Sequence, residues 1–105
     1  MTKVRHVVVI SPRSRRTNLQ NGTCLVVPFS TQPPVHVESY HVLIGRGVYP
    51  FFHLDKEVWA KANLITHVSF ARLDRVLIEG RYSHAELNLD DFKRIKVAVG
   101  HAIGI

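Results

Sequence analysis

Two short segments carry the residue types that can act together on a phosphodiester. They are Val4-Arg5-His6-Val7-Val8-Val9-Ile10-Ser11-Pro12 and Gly22-Thr23-Cys24-Leu25-Val26-Val27-Pro28-Phe29-Ser30-Thr31-Gln32. Each holds an apolar run of strand length. Paired as a hairpin, they bring Arg5 and the hydroxyls of Ser30 and Thr31 to one end of a small sheet. A guanidinium offers two parallel donors to a phosphate and stays charged at any working pH. That fixed charge makes it a poor general base but a good stabiliser of a pentacoordinate transition state. A serine or threonine hydroxyl can donate to a non-bridging oxygen as charge grows there. RNA supplies its own nucleophile, the 2′-hydroxyl, so a ribonuclease of this kind needs no metal or other cofactor. The plainer readings are a surface charge opening a strand for Arg5 and turn chemistry before Pro33-Pro34 for Ser30 and Thr31.

Seven histidines supply imidazoles for proton transfer, the side chain best tuned to neutral pH. His6, His36, His41 and His53 fall in the segments placed around this end of the sheet. Scattered surface histidines are the commoner arrangement. His36 and Glu38 would share one strand face, but no third residue has ligand spacing, so no metal site is assigned. Arg13, Arg15 and Arg16 form a basic loop between the two strands, either a solvated charge run or a contact to an RNA backbone. Tyr49, Phe51 and Phe52 lie in a turn-rich segment. They can stack on unpaired bases, Phe51 foremost, or plug the end of a sheet. Trp59 reads as a core or interface residue in helix-like or loop surroundings. Cys24, the single cysteine, sits inside an apolar strand and reads as a buried small hydrophobe.

At 105 residues the chain fits one domain, residues 1–105, with a small core. Its apolar content of 46% argues against disorder. The run Val7 to Ile10 is far short of the roughly 18 residues of a membrane span, and Pro12 and Arg13 end it too early for a signal peptide. These features point to a cytoplasmic protein without a membrane partner. The net charge of +6 favours a polyanionic partner, nucleic acid first and an acidic protein second.

The elements that position these groups follow from pattern. A first strand spans about 4–11, a second about 23–29, and the near-continuous apolarity of the second predicts burial on both faces. Asn21-Gly22 closes the intervening loop. A third strand is predicted over 35–44. Val35, Val37, Ser39, His41 and Leu43 share one of its faces, and His36, Glu38, Tyr40, Val42 and Ile44 the other. Further strands are predicted over 62–70 and 73–78, with Gly80 stopping the second. Phe92, Ile95, Val99 and Ile103 recur at helical spacing, with Asn88 as N-cap and Asp90 and Asp91 at the positive end of the dipole. The sum is a mainly β, mostly antiparallel domain with a C-terminal helix.

The chain resembles the MazF/PemK family of toxins. In that family a strand of the form Arg-Pro followed by four apolar residues and Ser-Pro precedes a Gly-initiated strand ending Val-Pro-x-Thr/Ser-Thr/Ser. Here these are Arg5 to Pro12 and Gly22 to Gln32. Val58 to Val76 is similar to the family's paired strands with a Ser-x-x-Arg-Leu element, here Ser69-Phe70-Ala71-Arg72-Leu73, and Leu89 to Ile103 matches the terminal helix. The resemblance implies a small SH3-like β-barrel of the PemK/CcdB type, acting as a homodimer. It implies metal-independent, sequence-specific cleavage of single-stranded mRNA that inhibits growth. It also implies neutralisation by an acidic antitoxin, with DNA binding in the antitoxin complex. The family's catalytic arginine falls on Arg5 and its catalytic threonine on Ser30, with Thr31 adjacent.

Two departures stand out. His6 replaces the family's usual proline. Only Met1 to Val4 precede Arg5, where the family normally carries another strand and a mobile loop. The expectation is a shortened relative, or a native start further upstream, with a sheet edge exposed. Two alternative functions stay open. One is a CcdB-like toxin that binds gyrase, although such toxins end in a tryptophan-containing helix and this helix has none. The other is a non-catalytic nucleic-acid-binding module or truncated relative.

Overall fold

The computed structural model describes residues 6–11, 23–52, 55–69, 72–73, 76–78, 81–83 and 85–105. Within them, β1 is Val7–Val9, β2 Thr23–Ser30, β3 His41–Ile44, β4 Val58–Lys61, β5 Thr66–Ser69, β6 Val76–Ile78 and β7 Arg81–Ser83, and α1 is Leu89–Ala102. Every ladder is antiparallel. The domain is therefore mainly β with one C-terminal helix, as the pattern predicts. The ladders do not close into a ring among the described residues, so barrel describes the architecture only loosely.

β2 organises the sheet. Along one edge it pairs with β1, Val7 opposite Pro28 and Val9 opposite Val26. Along the other edge its first half pairs with β5 and its last two residues with β4. Between those partners a 3₁₀ turn, Ala62–Leu64, carries the chain from one half of β2 to the other. A strand with partners on both edges and cover on both faces must be apolar throughout. Cys24 and Val26 are accordingly buried on one face of β2, Val27 and Phe29 on the other. Cys24 is thus buried, as its surroundings predict.

Four sequence expectations need correction. The strand predicted over 35–44 is confined to His41–Ile44. Its alternation is real, but Val35 is 94% exposed and Val37 65%, so the first half has nothing to pack on. A tight turn over Glu38–His41 separates the halves, with the Glu38 N–H donating to His41 Nδ1 at 3.0 Å. The His36 and Glu38 pair consequently does not share a strand face. Next, the predicted strand 62–70 is only Thr66–Ser69, because the buried Ala62 begins the 3₁₀ turn. Trp59, read as helix or loop, lies in the middle of β4. Ala60, a poor strand former by propensity, masked the alternation of β4. β7 was not anticipated; it pairs with β6, Ile78 opposite Arg81.

The helix stands where predicted, rotated from the predicted face. Asn88 caps it, its side chain accepting from the Asp91 N–H at 2.8 Å. Ile95 and Ala98 are buried, whereas Ile103 is exposed. The rotation has a polar cause. The Tyr49 hydroxyl donates to Asp91 Oδ2 at 2.6 Å and accepts from the Asn88 N–H at 3.0 Å. Arg94 donates to Asp91 Oδ1 at 3.1 Å and to the Leu43 carbonyl at 3.2 Å. Asp91 therefore faces the sheet and brings Ile95, four residues on, and Ala98, three beyond that, down with it.

Ile95→Ala is expected to cost about 2–5 kcal/mol of stability by leaving a cavity; equal denaturation midpoints would contradict the assigned face. Burial, and then the hydrogen bond to Asp91, raise the Tyr49 hydroxyl above its usual pKa of 10.0. The unfolded chain then loses this proton at lower pH than the native one, so the contribution is whole below pH 10.0 and is lost as pH rises above it. Denaturation of wild type and Tyr49→Phe on both sides of that pH is expected to show the steeper loss in wild type.

Candidate functional site

The predicted site residues divide by what the structure describes. Arg5, Arg13, Arg15 and Arg16 lie outside the described residues, as does His53. Ser30, Thr31 and Phe51 lie within them. Ser30 ends β2 and stands opposite Trp59 of β4. Its Oγ accepts from the Gln32 N–H at 3.0 Å. This is the local turn bond that hydroxyl residues favour at strand ends. A hydroxyl has one hydrogen and two lone pairs, so this bond leaves its own hydrogen for an acceptor such as a phosphate oxygen. Thr31 follows in a bend and is exposed.

The other strand meets β2 at this same end. The Phe29 N–H donates to the His6 carbonyl at 3.0 Å, one residue beyond the Val7–Pro28 pair. His6 follows Arg5 directly in the sequence. The hairpin-like convergence predicted for these two segments therefore exists as far as His6 and Ser30.

Side-chain alternation along β2 separates two surfaces at this end. Phe29 faces the core. There it meets Phe52 at 4.9 Å between ring centroids, and Phe52 in turn meets the His6 ring edge-on at 5.3 Å. Phe51 belongs to this cluster: it stacks on Tyr49 at 5.3 Å and stands edge-on to Phe52 at 4.7 Å. The aromatic segment thus seals the core beneath the sheet, and Phe51 is half-buried in it. His6 anchors the start of β1 to the same cluster.

Ser30 points the other way, onto a surface shared with His41, one of the imidazoles expected at this end, and with Trp59 and Lys61, to which local pattern assigns no part in the site. One row across three strands is Ser30, Trp59 and Leu43; the next is Pro28, Lys61 and His41. The first row follows from Ser30 opposite Trp59 and Leu43 opposite Trp59. The second follows from extending that β2–β4 register by one pair and from His41 opposite Lys61. All six side chains are half-buried. The sequence signal was present in β4, where Val58 and Ala60 are buried and Trp59 and Lys61 alternate with them.

The polar groups of this surface are constrained. Because His41 Nδ1 accepts from a backbone N–H, the neutral ring carries its proton on Nε2. Trp59 Nε1 is buried without a hydrogen-bond partner. Among the described residues no group of three or more His, Cys, Asp or Glu is arranged to hold a metal ion.

Comparison with known proteins places this geometry. A search of curated proteins finds no match. Among solved structures, the Mycobacterium tuberculosis toxin MazF-mt6 is similar in fold, with a TM-score of 0.70 at 17% identity, covering 96% of this chain and 87% of that one. A family model for the PemK-like, MazF-like toxins matches residues 1–102, nearly the whole sequence. The chain belongs to this family of toxins of type II toxin–antitoxin systems.

Proposed function

We propose that this toxin is a metal-independent endoribonuclease that cleaves single-stranded mRNA at short sequences and so inhibits growth. The observation that carries the reading is the meeting of β1 and β2 at His6 and Ser30. It sets a hydroxyl with a spare hydrogen at the end of the strand that pairs with the segment following Arg5. In this reading the substrate's 2′-hydroxyl attacks the adjacent phosphorus, and the 5′-oxygen of the next nucleotide leaves. Arg5 neutralises the charge gathering on the non-bridging oxygens, and Ser30 donates to one of them, with Thr31 next to it. Arg13, Arg15 and Arg16 hold the flanking backbone. The products are a 2′,3′-cyclic phosphate and a 5′-hydroxyl.

The partners follow from charge and family. A net charge of +6 suits both RNA and an acidic antitoxin segment. We further propose a homodimer in the cytoplasm and participation in a DNA-bound toxin–antitoxin complex. The gyrase-binding alternative finds no support in α1, because the single tryptophan of the chain lies in β4.

Arg5→Ala and Ser30→Ala are each expected to lower the cleavage rate of a long single-stranded RNA roughly 100- to 1,000-fold, the usual cost of one transition-state donor. Ser30→Thr is expected to retain activity, since it keeps the hydroxyl. Circular dichroism establishes that each variant is folded. Cleavage at the wild-type rate by folded Arg5→Ala would remove that residue from the mechanism.

A further inference from the structure

We propose that Trp59 is a stacking platform for an unpaired RNA base and that Lys61 beside it holds a phosphate of the same strand. This rests on the ribonuclease reading and extends its site from Ser30 across β4.

The aromatic residues differ in what already covers them. Phe51, the sequence's first choice for stacking, already has Tyr49 on its face and Phe52 at its edge. Phe29, Tyr49 and Phe52 are buried in the core. Trp59 differs from all of these. It lies on the opposite face of the sheet and has no aromatic or cationic partner among the described residues. Its strand is paired on both edges, with Ser30 and with Leu43, and the residue is half-buried. Nε1 is buried without a hydrogen-bond partner, so any part of the ring that meets solvent is carbon. A buried indole N–H without a partner lowers stability. The orphaned N–H is a cost that a phenylalanine in the same place would not carry.

Ring carbon at a surface is what a base requires. Stacking on an aromatic face is tolerant of base identity and common in single-strand binders. The geometry suits one nucleotide. Directly opposite side chains on paired strands have Cβ atoms about 5 Å apart, so Ser30 and the indole are neighbours on one surface. Lys61 lies two residues along β4 on the same face and has no ion-pair partner among the described residues. Its ammonium can meet a backbone phosphate while the base lies on Trp59. His41, opposite Lys61, presents its Nε2–H as a further donor. Charge complementarity and continuity with Ser30 thus favour a nucleic-acid strand over an apolar partner on this face.

Trp59 is the single tryptophan, so its fluorescence reports this surface alone. The probe is a mixed-sequence single-stranded 2′-fluoro RNA, which lacks the attacking hydroxyl and survives the titration. Binding is expected to quench or shift Trp59 emission. Trp59→Ala is expected to weaken binding roughly 5- to 150-fold. Trp59→Phe is expected to fold and to bind more tightly than Trp59→Ala. Lys61→Gln is expected to lower the slope of log K against log salt by about 0.7, the share of one phosphate on a single strand.

Cleavage of ordinary RNA is measured in parallel to separate the two claims. If RNA is cut but emission does not respond to saturating probe, the platform is overturned and the nuclease reading stands. Trp59→Phe binding no better than Trp59→Ala, or an unchanged salt slope in Lys61→Gln, overturns the corresponding residue's role. Emission that changes with protein concentration and not with RNA assigns the face to a second copy and overturns the proposal. Quenching without any cleavage supports the platform and contradicts the nuclease.

Discussion

Everything in this molecule depends on β2 being buried on both faces and paired on both edges. Thr23–Ser30 is a ladder partner of β1, β4 and β5, so three of the four ladders of the main sheet include it. Such a strand cannot slip. A shift of one residue would exchange Val27 and Phe29 on the core face with Val26 and Pro28. The register is therefore fixed by apolar burial, and with it the position of Ser30 at the strand's end. The candidate site inherits its geometry from the core.

The same constraint divides the end of the sheet into two surfaces with different tasks. On the core side, Phe29, Tyr49, Phe51, Phe52 and His6 form one ring cluster that closes the domain. Tyr49 extends that cluster to α1 through Asp91 and the Asn88 N–H, so the aromatic turn and the helix support one another. On the other side lie a hydroxyl, an indole, an ammonium and an imidazole across three strands. Polar chemistry can gather there because the core has already been satisfied beneath it.

The sequence made the strongest elements legible and hid those defined by long-range pairing. β2 and α1 were readable because eight nearly apolar residues and a capped, periodic helix leave few alternatives. The segment 35–44 misled because alternation shows only that a strand can exist, and among the described residues no strand pairs with its first half. β4 was obscured by Ala60, whose burial in the core is a matter of space that no local propensity records. Ser30 was proposed from its place after an apolar run. That Trp59 and Lys61 share a face with Ser30 was not legible, because it depends on the register of β4 on β2. The helix face was misjudged for a similar reason, since a tyrosine 42 positions before Asp91 sets its rotation.

In the proposed reaction the substrate supplies the nucleophile while the protein supplies charge and hydrogen bonds. The most direct measurement compares a single-stranded RNA with the same sequence carrying a deoxynucleotide at the 5′ side of the scissile bond, both in EDTA. The RNA is expected to be cut to a fragment ending in a 2′,3′-cyclic phosphate, and the deoxy substrate to stay whole at that bond. Cleavage of the deoxy substrate there, or loss of RNA cleavage in EDTA that returns with a divalent ion, would contradict this reaction.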